Sequence, residues 1–199
     1  MDYCYACFTP RIENICMCQY RCCCDMIRCW SNYDQTKFVG MFLQKLHSNQ
    51  IPVSYIRILH NCIQYNCQIL FDYLLSTNNY NLNGIYKYFN WTLLMTSVTY
   101  KRYDILRILL EKKCNPNIQN YHGKTILFFN GSAFPDRTNQ KHYEILFTTN
   151  CNPFIKDTKG KTAKDYIKDK DMKELFDKYE VDYTNRENRT TSLYDLLVK

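Results

Sequence analysis

Two copies of Gly-Lys-Thr, at 123–125 and 160–162, and eight cysteines crowded between Cys4 and Cys29 carry the clearest chemical content of this 199-residue sequence. A phosphate-binding loop needs a glycine five residues before the Gly-Lys pair, so that successive amides curl round an anion. Ile118 and Ile155 stand there instead, and a β-branched residue does not take the positive-φ geometry that glycine supplies. The two triplets are therefore not nucleotide sites.

The cysteines leave three readings open. Cys4-x-x-Cys7 has a spacing that suits tetrahedral zinc, with Cys16 and Cys18, or others among Cys22, Cys23, Cys24 and Cys29, completing the set. No histidine precedes His47, and the second group is crowded rather than paired. Acylation of the adjacent cysteines beside Arg21 and Arg28 would give a membrane anchor. Most plainly, the thiols are small buried hydrophobes, reduced in the cytosol. No cofactor is expected, zinc being the one alternative.

Catalysis finds no constellation. His47, His60, His122 and His142 have no partner at catalytic spacing, so the chain reads as non-enzymatic. The start has no basic stretch followed by an apolar one, and no run is long enough to span a membrane, so a cytoplasmic location is expected. The net charge of +7 is interspersed with acids rather than gathered into a basic stripe, which argues against nucleic acid as partner.

What positions these residues is a repeat. Cys114 to Thr125 returns as Cys151 to Thr162 at an offset of 37, and Trp91 to Leu110 lies over Ile56 to Leu75 at an offset of 35. A partial fourth copy begins at Gly160. Periods near that length, with paired short helices and a turn, mark a solenoid whose units bury apolar faces only against neighbours.

The units resemble ankyrin repeats: Gly123-Lys124-Thr125 and Gly160-Lys161-Thr162 fit the turn, and Leu74-Leu75 and Leu109-Leu110 fit the end of the outer helix. The resemblance implies an all-α solenoid of three to four degenerate units. It divides the chain into a Cys-rich segment 1–35, a helix or degenerate repeat 36–55, repeats 56–179 and a tail 180–199. Thr92, Thr125 and Thr162 are expected to cap helices. Leu74, Leu75, Leu94, Leu109, Leu110, Leu127 and Leu146 are expected in the core. Lys113, Asn150 and Asn79 replace the glycine preferred after the outer helix, and residues 130–141 lengthen the third unit.

The same resemblance implies a protein-binding surface made of hairpin tips and inner-helix positions. On the tips fall Tyr86, Lys87, Tyr88, Asn120, Tyr121 and Lys156; on the inner helices fall Tyr65, Thr96, Tyr100 and Phe129. The Asn-, Tyr- and Cys-rich style further resembles short poxvirus ankyrin proteins, which implies a host protein as partner and a role in host range or innate signalling. Residues after the last unit are too few for the module by which many such proteins recruit a ubiquitin ligase, so binding alone is expected. The alternative is a zinc-dependent or lipid-anchored Cys-rich module for which the repeats only dock.

Overall fold

The computed structural model describes residues 11–12, 15–16, 55–77, 81–86, 90–130 and 140–197. They fall in two compact units, Met1–Tyr88 and Phe89–Lys199. In the first unit β1 (Arg11–Ile12) pairs antiparallel with β2 (Ile15–Cys16). Every other described element is helical, and the fold is the expected helical repeat array.

Helices α1 (Tyr55–Tyr65) and α2 (Gln68–Thr77) form the helix pair of the first unit. Ile58, Leu59, Cys62 and Ile63 recur at helical spacing on one face and are buried, as are Leu70, Phe71 and Leu74 opposite them. Asn66 closes α1 in the left-handed region, with φ of 58°, while the Cys67 amide reaches back to the Cys62 carbonyl at 2.9 Å. Asparagine tolerates that conformation better than most residues.

The second unit starts with α3 (Leu93–Thr99) and α4 (Tyr103–Glu111). Thr92 caps α3 as expected: its hydroxyl accepts the Met95 amide at 3.2 Å. The turn after α3 repeats the turn after α1, 35 residues on. Lys101 takes φ of 56° and the Arg102 amide reaches the Ser97 carbonyl at 2.8 Å. Lys113, after α4, takes φ of 58°, as its glycine-like position implied. Asn150 does not adopt positive φ, because the corresponding turn is closed by Thr149, whose amide and hydroxyl both donate to the Leu146 carbonyl.

The inner element of the next repeat is not an α-helix but a 3-10 segment, Ile126–Asn130, followed after the insertion by α5 (Gln140–Phe147). The sequence from Asn130 runs Asn-Gly, a dipeptide that disfavours helix continuation. Thr125, expected as a cap, is buried with its hydroxyl unpartnered. At Thr162 the roles reverse: Asp165 Oδ2 accepts both its amide, at 2.7 Å, and its hydroxyl, at 3.0 Å.

A short 3-10 turn, Lys164–Tyr166, leads into α6 (Lys170–Leu197), a helix of 28 residues. The tail expected from residue 180 is thus continuous with the helix before it. No glycine or proline interrupts 170–197, and Phe176, Tyr179 and Tyr183, spaced by three and four, lie on one buried face. Phe147 of α5 stacks on Tyr179 at 4.0 Å between centroids and meets Phe176 edge-on at 5.0 Å. The Tyr179 hydroxyl donates to the Cys151 carbonyl at 2.5 Å, tying α6 to the loop after α5. Of the expected core leucines, Leu74, Leu94, Leu109, Leu127 and Leu146 are buried, whereas Leu75 and Leu110, on the rim of their helices, are half-exposed. Among the described residues no helix is long and apolar enough to cross a membrane.

Candidate partner-binding surface

The repeated phrase builds the same turn twice. Asn120 donates its amide to the Lys124 carbonyl at 3.0 Å and accepts the Gly123 amide at 2.8 Å. Its side-chain Oδ1 accepts the amides of His122 at 2.9 Å and Lys124 at 3.0 Å. Asp157 makes the matching set with Lys161, Gly160 and Lys159, at 2.9–3.0 Å throughout. Gly123 and Gly160 hold φ of 70° and 74°, which closes each turn without a Cβ penalty.

The two turns are stitched to each other. Thr158 donates its amide to the His122 carbonyl at 3.1 Å. Gln119 Nε2 bridges the Gly123 carbonyl at 2.7 Å and the Lys156 carbonyl at 3.0 Å. Lower down, Asn117 accepts the Asn152 amide at 2.7 Å and donates to the Asn150 carbonyl at 2.9 Å. Adjacent hairpins thereby become one stiff edge.

Beneath that edge, Asp157 Oδ2 accepts the Tyr166 hydroxyl at 2.5 Å. The ammonium groups of Lys124 and Lys161 stand 4.9 and 5.7 Å from the Tyr166 ring centre. The Tyr166 bond, followed by the backbone amides and the Lys124 charge, holds the Asp157 carboxyl below its ordinary range, and the same bond raises the Tyr166 hydroxyl.

Of the residues expected to meet a partner, Tyr121 is 68% exposed and Lys156 is exposed. Tyr65, Tyr86, Tyr100 and Phe129 are half-buried. Tyr86 lies against His60 at 5.0 Å, and Phe129 meets Trp91 edge-on at 5.4 Å. Burial raises the Tyr100 hydroxyl.

Two expectations are corrected. Thr96 is 2% exposed, because its hydroxyl bonds back to the Thr92 carbonyl at 3.1 Å and turns the side chain into the repeat. Asn120 is 7% exposed, being the framework of the turn rather than its display. Lys87 and Tyr88 lie outside the described residues, as do Cys4, Cys7 and Cys18; of Cys16 only the backbone pairing in β2 is described.

The sequence reading overlooked Lys124, Lys159, Lys161 and Tyr166. The twin triplets, taken with the acid or amide three residues before each glycine, were the available signal. Elsewhere, Cys62, Cys67, Cys114 and Cys151 are buried thiols, and among the described residues no group of three metal-ligating side chains converges. Burial lowers His60 to about 3, and burial together with the Lys101 charge lowers His142 to about 4. Both His142 ring nitrogens lack hydrogen-bond partners, and its ring packs on Tyr103 at 3.9 Å.

A helix pair, a stitched hairpin and a repeat offset of this kind define a class, and the comparisons name it. The family model described as ankyrin repeats in three copies matches residues 26–129, just over half of the sequence. The chain belongs to the ankyrin-repeat family.

An ankyrin repeat protein of Acanthamoeba polyphaga mimivirus is 28% identical over 152 residues, covering 54% of this chain. The chain spans about a quarter of that curated relative's length. Among solved structures, the ankyrin repeat domain of Bcl-3, a member of the IκB protein family, aligns with a TM-score of 0.53 at 17% identity, covering 60% of this chain and 50% of that one. The ankyrin repeat protein EF0377 aligns with a TM-score of 0.51 at 18% identity, covering 71% and 82%. At such identities these neighbours speak to the fold.

Proposed function

We propose that this chain is a non-enzymatic adaptor or decoy that acts by holding another protein against its hairpin edge. Ankyrin repeats are in general interaction scaffolds. The observation that carries the reading is Tyr121, a large ring left 68% exposed on a turn whose backbone is held by the Asn120 side chain. A fairly rigid aromatic on a rigid support loses little entropy on contact and commonly anchors an interface.

The mimivirus relative supports a viral setting. In that setting the partner is a host protein in the cytoplasm, and the consequence of binding is altered host range or innate signalling. Affinity capture on wild-type chain and on Tyr121→Ala, with helicity checked by circular dichroism, tests the reading. The variant is expected to lose at least about 1 kcal/mol of binding to a partner retained by the wild type. Equal retention by both would move the binding surface off this edge.

A further inference from the structure

We propose that the edge formed by the turns at 119–124 and 156–161 docks an acidic stretch of its partner protein. The inference rests on the protein-binding reading above and specifies the chemistry of what is bound. Lys124, Lys156, Lys159 and Lys161 stand on these two adjoining turns, and among the described residues none of them is in an ion pair. Two lysines that follow the edge are paired: Lys164 is held by Asp177 and Glu180, and Lys170 faces Glu174.

The acids of the same stretch are committed to the fold. Asp157 is 7% exposed and spends one oxygen on two backbone amides and the other on the Tyr166 hydroxyl. Asp165, within reach of the Lys156 and Lys161 fields, accepts both donors of Thr162. Asp157 and Asp165 feel the lysine charges, but neither forms a salt bridge with them among the described residues, and Lys156, Lys159 and Lys161 are exposed.

Rigidity turns these charges into recognition. Single exposed ion pairs contribute little, because long side chains must be ordered and water screens the charge. Here Lys124 and Lys161 already rest on the Tyr166 ring, and the turns beneath them are stitched by Gln119 and Thr158. Tyr121, on the same turn as Lys124, adds exposed apolar area, so an acidic segment carrying an apolar residue matches the edge in both respects. A nucleic-acid track would need a longer basic groove with successive stacking rings, whereas this edge is two turns wide and its exposed rings, Tyr121 and His122, both lie on the first turn.

Selection of displayed random short peptides on the full-length wild-type chain, and in parallel on a variant carrying Lys156→Glu, Lys159→Glu and Lys161→Glu, tests the proposal. All three side chains are exposed, so the variant is expected to keep wild-type helicity, which circular dichroism checks. Peptides rich in Asp and Glu are expected from the wild type, binding the variant about tenfold more weakly and weakening as salt is raised. Enriched peptides without acidic bias, or acidic peptides that bind the variant equally well, would overturn the acidic edge and leave the protein-binding reading standing. Tighter, lysine-dependent binding of a single-stranded oligonucleotide or of anionic vesicles than of any selected peptide would overturn it in favour of phosphate. Failure to enrich any peptide on the wild type counts against both readings.

Discussion

Gly123 and Thr158 touch backbone to backbone: a Cβ placed on Gly123 would lie 2.8 Å from the Thr158 amide nitrogen. Gly160, the same position one repeat later, has nothing within 4 Å of its virtual Cβ. Two glycines with equal φ thus do different work. One only closes its turn; the other also lets the next hairpin dock.

Alanine at these positions should separate the two roles. Gly160→Ala is expected to cost about 1 kcal/mol for the left-handed backbone alone. Gly123→Ala should cost that and roughly 1–3 kcal/mol more, because backbone atoms must shift. Equilibrium denaturation of both variants checks it; equal losses would mean the hairpins are not pressed together.

The converse holds where lysine sits in the left-handed region. Lys101→Gly and Lys113→Gly relieve strain worth about 1 kcal/mol each, partly offset by the greater freedom of glycine in the unfolded chain. Each should raise the denaturation midpoint slightly or leave it unchanged. A clear fall at either position would show that the left-handed turn is wrong there.

Helix α6 should behave as part of the array. Phe176→Ala removes a fully buried ring that meets Tyr143 at 4.9 Å and Phe147 at 5.0 Å, and is expected to cost about 3–5 kcal/mol. Deleting residues 180–199 removes the buried Tyr183 and the Arg186 guanidinium 5.5 Å above the Tyr179 ring, so it too should lower stability. A truncated chain that melts like the full one would restore the boundary to residue 180.

Acid should loosen the protein before its carboxylates titrate. His60 and His142 are buried and neutral in the fold, with values lowered from 6.5 to about 3 and about 4. Between those values and 6.5 the unfolded chain binds more protons, so stability is fully present above about pH 6.5 and falls as pH drops. His142→Gln should flatten the part of this slope between 6.5 and about 4. Asp157, whose carboxyl is depressed below 3.8, adds its own loss only at lower pH still. An unchanged profile in the variant would place the sensitivity elsewhere.

The repeat was legible because its signals are local and periodic: the offsets of 35 and 37, the leucine pairs and the Gly-Lys-Thr turns all lie within single units. What lay hidden depends on partners distant in sequence. Asn120 read as a variable tip residue, since nothing in its neighbours announces that His122 and Lys124 will turn their amides to its side chain. The long α6 was obscured by its polar composition, because only Tyr179 and Tyr183 report burial beyond Phe176, and tyrosine is common throughout the chain. The short inner element at Ile126–Asn130 was missed for the opposite reason: "ILFF" is apolar enough for a helix, and the Asn-Gly behind it, a poor continuation for one, was given no weight.

The central claim, that the hairpin edge is where a partner protein sits, is tested most directly by photo-crosslinking in cells. A photoreactive phenylalanine analogue replaces Tyr121 in one chain and Lys178, exposed on α6, in another. Irradiation should yield a discrete protein adduct from position 121 that is absent from position 178. The same adducts from both positions, or an adduct from 178 alone, would contradict the account.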